Sequence, residues 1–390
     1  MTDDTLGLAV QDAPADAVGR DTDLDTIDRV LGDAASSVAA ARAFRPAVVA
    51  HAQANVAALF GPVRTSPGLA VRLAVAHRVA LLVGEETLAD HYASALAALG
   101  DDRWLDARVD ALLTHAQRLS TSPALAAPAD LDSLRAAGWT TAEIVTISQV
   151  VGFTQFQART IAGLRLLAAS RAPVDERPDA SDGRTRDLPA TPVTPPEPVR
   201  RDQRPFTQAH LDWTAWLNPL DLSDADEEQR AVLTGFRGEM PYFRLLALDA
   251  RALAARTALD NAIFFGHGGL PRAERELAAT VTSRVNGCVF CASVHSARAS
   301  ELSGRRDDVQ RLLDEGIGTT LDARWRAIVD LAATLSITPV TAEVSHVLRA
   351  RAVGLRDEEI LDVVHAAAFF AWANRLMLSL GEPVEADGEP

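Results

Sequence analysis

Nine residues of this 390-residue chain recur at one fixed spacing. Arg108, Leu119, Ser120, Pro123, Gly138, Glu143, Ile144, Phe153 and Arg159 return as Arg324, Leu335, Ser336, Pro339, Gly354, Glu359, Ile360, Phe369 and Arg375, each pair 216 residues apart. A constant spacing held over about 50 residues marks two copies of one structural unit. Upstream the spacing falls to 204, which pairs Leu73 with Leu277, Ala74 with Ala278 and His91 with His295. Twelve residues are therefore added between His295 and Arg324. Phe44-Arg45 and Phe243-Arg244 extend the pattern backwards.

Within each copy apolar residues fall three and four apart, as in Val48, Val49, Ala52, Val56 and Leu59, which is the spacing of amphipathic helices. Gly61-Pro62, Gly100-Asp101, Ser122-Pro123 and Gly138 punctuate them, and no stretch alternates as a strand does. The expected fold is all-α, two tandem helical-bundle domains. Between them, residues 173–205 hold eight prolines interleaved with charges, a composition that continues neither helix nor ladder and reads as an extended linker. The expected organisation is a disordered tail over 1–22, a first domain over 23–172, the linker, a second domain over 206–381 and an acidic tail over 382–390.

The formal charge of −15 sets the chain against a phosphate backbone, so nucleic acid is not expected as a partner. Met1-Thr-Asp-Asp-Thr lacks the basic and apolar regions of a signal peptide, and no uninterrupted apolar run approaches the length of a membrane span. The expectation is a cytoplasmic protein with no membrane association.

Only two cysteines occur, Cys288 and Cys291, and both sit in one C-x-x-C within the second copy. In a reducing compartment that arrangement reads as a redox pair rather than a disulfide framework. Leu270-Pro271 followed by Glu274 and Glu276 starts a helix, and Asn286-Gly287 stops it. A new helix from Cys288 puts Cys288, Cys291 and His295 on one face, with Glu276 reaching it from the preceding helix. Cys288 then lies in the first turn, where free amides favour a thiolate, and Cys291 lies one turn further in beneath Val289, Phe290 and Val294. His295 can relay a proton near neutral pH, and Glu276 can orient its ring. At a spacing of 204 the first copy has Arg72, Gly84 and Thr87 in place of Glu276, Cys288 and Cys291, and it keeps only His91 opposite His295. That copy carries the frame without the thiols, and His91 reads as a packed helix histidine.

Glu-x11-Cys-x2-Cys-x3-His in an all-helical unit, with Gly-x4-Glu-Ile downstream, resembles the alkylhydroperoxidase AhpD-like/carboxymuconolactone decarboxylase superfamily. The resemblance spans nearly all of both halves and is stronger in the second. It implies thiol-dependent reduction of alkyl hydroperoxides, with Cys291 peroxidatic, Cys288 resolving, and Glu276 and His295 as the proton relay. It also implies a homo-oligomer, no cofactor, and a dithiol reductant such as a dihydrolipoamide-bearing or thioredoxin-like protein. Peroxidases of this branch carry a histidine just before the second cysteine; here Phe290 stands there and removes one member of the relay.

Rival readings bear on the same residues. A structural zinc site would take Glu276, Cys288, Cys291 and His295, yet three of these share one helix face where closed zinc sites draw on two knuckles. An inert buried pair is the bland alternative. A lactone decarboxylase needs acid–base groups and no thiols. A redox-sensing scaffold would oxidise without turnover. Elsewhere Trp325, Trp372, Phe369 and Phe370 read as a core stripe, Glu143–Arg159 and Glu359–Arg375 as ion pairs fixing helix packing, and His365 as a core residue ahead of a pocket-lining one.

Overall fold

The computed structural model describes residues 25–61, 67–100, 107–171 and 196–386. The expected tail over 1–22 and the linker as far as residue 195 lie outside them. The first half comprises α1 (Thr26–Leu31), α2 (Ala34–Ala43), α3 (Pro46–Phe60), α4 (Leu69–Val83), α5 (Glu86–Ala97), α6 (Ala107–Thr121), α7 (Pro128–Ala136) and α8 (Thr141–Ala169). The second comprises β1 (Leu211–Ala215), α9 (Glu227–Val232), α10 (Phe236–Glu239), α11 (Pro241–Leu246), α12 (Ala250–Phe265), α13 (Arg272–Asn286), α14 (Val289–Ser303), α15 (Arg306–Glu315), α16 (Ala323–Ser336), α17 (Val344–Ala352), α18 (Asp357–Leu380) and β2 (Gly381–Glu385). The fold is all-α, as the periodicity predicts, apart from one antiparallel ribbon of β1 and β2.

Helix starts repeat the sequence spacing. α6, α7 and α8 begin 216 residues before α16, α17 and α18. α15 has no counterpart among the described residues and supplies the inserted segment. Between the reactive helices the register differs by one residue from the spacing of 204. Gly84 and Gly287, 203 apart, both end their helices in the left-handed conformation at φ 87° and 76°, and Glu85 and Cys288 are the N-caps that follow. Glu276, Cys288, Cys291 and His295 thus stand opposite Leu73, Glu85, Leu88 and Tyr92. His91 is not the partner of His295; it packs edge-on to Tyr92 at 5.4 Å, a helix histidine as expected. Ring contacts agree: Phe60 lies 5.0 Å from Tyr92 and 6.5 Å from Phe153, as Phe264 lies 6.1 Å from His295 and 6.3 Å from Phe369.

The two halves share one continuous core, built on α8 against α18. Both helices are apolar nearly all round, which suits a position with no solvent face. α18 is long and apolar enough to cross a membrane, but almost all of it is buried inside this protein. Close approach comes from glycine: a Cβ on Gly152 would stand 1.9 Å from Trp372 Cδ1, and one on Gly163 would stand 2.5 Å from Val364 Cγ1. Trp372 fills that notch and donates through Nε1 to Gln149 Oε1 at 3.0 Å.

Arg159 and Arg375 do not form the expected ion pairs. Glu143 and Glu359 precede them by sixteen residues on the same helices, about 24 Å along the axis. Each glutamate instead accepts from its own helix start, at Thr140 N and Arg356 N, both 2.8 Å. The arginines cross between halves: Arg159 Nη2 donates to Ser336 O at 3.1 Å and Thr338 Oγ1 at 2.8 Å, and Arg375 Nη2 donates to Ser120 O at 3.1 Å. Each cation closes the carbonyl end of a helix in the other copy, where the dipole favours it. Arg45 makes a third crossing, a buried two-pronged pair with Asp362 at 2.8 Å on both oxygens.

The expected tail over 382–390 is not loose at its start. Gly381–Glu385 pairs with Leu211–Ala215, because an extended Gly381 without a side chain passes over Trp213, whose Cζ2 would lie 2.2 Å from a Cβ. From Pro196 the proline-rich stretch is fastened as well: Arg201 N donates to Ala124 O at 2.9 Å, Arg201 pairs with Glu382 at 2.8 Å, and Glu197 accepts from Arg284 at 2.8 Å.

Two consequences are measurable. Gly152→Val drives a branched side chain into the Trp372 ring, and overpacking of this kind costs roughly 1–3 kcal/mol. Urea unfolding followed by circular dichroism is expected to show a lower midpoint and still one cooperative transition, because neither half keeps its core without the other. Two resolved transitions in the wild type contradict the shared core.

Candidate active site

Glu276 is held where a carboxylate ordinarily is not, 1% exposed in the middle of α13. Two cations make this possible: Arg272 Nε donates to Oε1 at 2.7 Å and His295 Nδ1 lies 2.6 Å from Oε2. Burial raises the Glu276 carboxyl, but the His295 imidazolium and Arg272 outweigh it and hold the carboxyl below its usual range. Burial likewise works against the His295 cation. The Glu276 carboxylate overcomes it, helped by the Cys291 sulfur and Asp260, so His295 titrates above its ordinary value. The His295 side chain is 23% exposed, so its outer edge meets solvent while the edge carrying Nδ1 is locked to Glu276. Phe370 packs edge-on against the ring at 4.2 Å.

α13 starts one residue later than proline alone indicates, with Pro271 as its cap, and ends at Gly287. A Cβ on Gly287 would meet Ala124 Cβ of the first half at 2.6 Å, so this glycine serves both the left-handed turn and close packing. Cys288 is the N-cap of α14 rather than a first-turn residue; its sulfur accepts from Cys291 N at 3.5 Å. The two sulfurs are 3.0 Å apart with both cysteines free.

The cap position does not make Cys288 the thiolate. Burial pushes the Cys288 thiol well above its ordinary value, and donating to Cys291 keeps its proton on. Burial also raises Cys291, but the hydrogen bond from Cys288, the His295 cation and Asn374 bring it below the ordinary thiol value. The negative charge thus resides on Cys291. Val289 and Phe290 cover the pair, whereas Val294 is 41% exposed and does not. Phe290 is itself buried, 7% exposed. With Ala124, Trp213 and Met377 it lines a crevice of about 20 Å³ beside Cys288, room for a single water.

Four residues at the site carried no motif in the sequence. Asn374 of α18 acts on both sulfurs while Asn286 and Ser283 fix its amide at 3.0 Å each. The only hint was one asparagine within an apolar stripe. Tyr242 of α11, with Arg256 and Asp260 of α12, is brought in by tertiary packing alone. Arg256 Nη1 lies 3.9 Å from Asp260 Oδ2, and Asp260 titrates above its usual value through desolvation. His365 is a core residue: it is 4% exposed, and burial drives it down to about 4.

Residues 250–333, which contain all four expected site residues, match the Carboxymuconolactone decarboxylase family. Comparison with curated proteins gives no match. A solved structure of an uncharacterized peroxidase-related protein from Silicibacter sp. TM1040 is similar at 29% identity, over 40% of this chain and 86% of that one, with a TM-score of 0.35.

The electrostatics set a pH profile. Cys291 titrates below an ordinary thiol, so at a given pH it carries more thiolate than an ordinary cysteine and its reactivity falls as pH drops through that lowered value. Iodoacetamide at pH 7 is expected to label Cys291 ahead of Cys288, as read by peptide mass. Removing the cation with His295→Gln, or its support with Glu276→Gln, is expected to move the inflection upward. An unmoved inflection in both variants contradicts the assigned charge.

Proposed function

Residues 250–333 resemble the carboxymuconolactone decarboxylase family, and on that likeness we propose that this chain is a thiol-dependent peroxidase acting on alkyl hydroperoxides. The observation that carries the reading is a 3.0 Å sulfur pair beside a buried Glu276–His295 pair, with burial raising the Cys288 thiol while Cys288, His295 and Asn374 lower that of Cys291. In the reaction the Cys291 thiolate attacks the terminal peroxide oxygen. An S–O bond forms as O–O breaks, and sulfur is oxidised by two electrons to the sulfenic acid. The alkoxide leaves with the proton of the His295 imidazolium, and Glu276 keeps the ring oriented throughout. Cys288 then attacks the Cys291 sulfur, a disulfide forms and water departs. A dithiol reductant restores both thiols by exchange.

A second reading is supported by the small crevice at Cys288: it admits water but no dithiol, as suits a redox sensor that oxidises once and does not turn over. The two readings part in one assay. With alkyl hydroperoxide and excess dithiol, the wild type is expected to turn over repeatedly, Cys291→Ser to be inactive, and Cys288→Ser to stop after one equivalent with a trappable sulfenic acid. Undiminished turnover in Cys291→Ser sinks the peroxidase. Wild-type oxidation limited to one equivalent with every dithiol tried favours the sensor.

A further inference from the structure

Two buried donors beside the thiols have nothing to bond to. Tyr242 is 2% exposed, and its hydroxyl has no hydrogen-bond partner among the described residues. Arg256 is 4% exposed; its Nε is likewise unpartnered, and its nearest carboxylate, Asp260, stands at 3.9 Å, beyond hydrogen-bond reach. Leaving such groups unbonded is destabilising, more so where the group is charged. Such an arrangement calls for an explanation, and a ligand that completes it is one.

Their placement indicates the ligand. Arg256, Asp260 and Phe264 form one stripe of α12 at four-residue steps, and the Phe264 ring lies 6.1 Å from His295 and 5.5 Å from Phe370. The Arg256 guanidinium rests 4.9 Å over Phe369 and 5.9 Å from the Tyr242 ring. Both Tyr242 and Arg256 are near enough to the Cys291 sulfur for their charges to bear on one another. The first half supplies an internal control. α3 and α12 begin 204 residues apart, which sets Arg256 and Asp260 opposite Ala52 and Val56. Phe60 is retained there with its ring contacts, so the frame does not need the charged pair. Arginine, aspartate and both thiols occur together in one half and are absent together from the other.

We propose that Arg256 and Tyr242 are catalytic residues that donate hydrogen bonds to the two oxygens of a hydroperoxide lying against Cys291, its organic group packed on Phe264 and Phe370. Asp260, one turn along α12 and 3.9 Å from Arg256 Nη1, is a positioning residue whose charge favours this placement of the Arg256 head. As the O–O bond breaks, charge builds on the departing alkoxide, and both donors stabilise it until the His295 proton arrives. They take the place of the relay histidine that Phe290 lacks. This inference rests on Cys291 being the peroxide-reactive thiol.

The test separates peroxide chemistry from thiolate chemistry. Cumene hydroperoxide and iodoacetamide both need the Cys291 thiolate, but only the peroxide has oxygens to bind. Single-turnover rates with each are measured at one pH on the wild type, Tyr242→Phe and Arg256→Gln, and the peroxide rate is divided by the alkylation rate. The ratio is expected to fall on the order of 100-fold in each variant. Tyr242→Phe removes a single oxygen and keeps the test valid should Arg256→Gln fold poorly. A ratio unchanged within about threefold in Tyr242→Phe overturns the inference while leaving the peroxidase reading intact. A wild type that is alkylated yet inert to peroxide overturns both.

Discussion

The contact of α8 with α18, closed over Gly152 and Gly163, decides where everything else in this protein stands. α18 faces both halves. Toward the first it presents Trp372 and Arg375; toward the reactive helices it presents Phe370 and Asn374. Because an α-helix is stiff, seating Trp372 against Gly152 also sets the height of Asn374 beside the sulfurs and of Phe370 beside His295. The thiol-free half therefore has a physical part in the site. It supplies the surface against which α18 is positioned, and through Ala124 it closes the crevice beside Cys288.

The arginines explain why the copies are joined so tightly. Arg159 and Arg375 each finish a helix of the opposite copy, and Arg45 pairs with Asp362 across the same boundary. Removing one partner of such a pair leaves a buried charge or bare carbonyls, which is more costly than the pair is stabilising. These crossings are specific where apolar packing is not, and they fix one register of α8 on α18. That register holds the sulfurs within the narrow limits the chemistry needs.

Much of this was legible in the residues. The 216-residue spacing was visible because α6, α7 and α8 each begin 216 residues before α16, α17 and α18, with no net insertion between their starts. Glu276, Cys288, Cys291 and His295 were found because local spacing within two consecutive helices determines their meeting. What failed were inferences across loops or between helices. A one-residue difference between the 204 spacing of matched identities and the 203 spacing of these helices and their glycine caps placed His91 opposite His295, where the structure places Tyr92. The Glu143–Arg159 pairing overlooked the distance sixteen helical residues impose. Tyr242 and Arg256 were not legible at all, because only the packing of α11 on α12 and of α12 on α13 and α18 brings them to this side of the core. The assignment of charge to Cys291 also needed three dimensions, since the first-turn argument favoured Cys288 and only burial beside Asn374 and His295 reverses it.

The central claim is that Cys288 and Cys291 form one redox couple poised by their surroundings. A thiol titration before and after one equivalent of alkyl hydroperoxide, with mass analysis of the peptide carrying both residues, tests it most directly. The account predicts two free thiols before, none after, an internal disulfide in that peptide, and full recovery of both thiols with a dithiol. Persistent thiols, or oxygen added to a single cysteine with no disulfide, would contradict it.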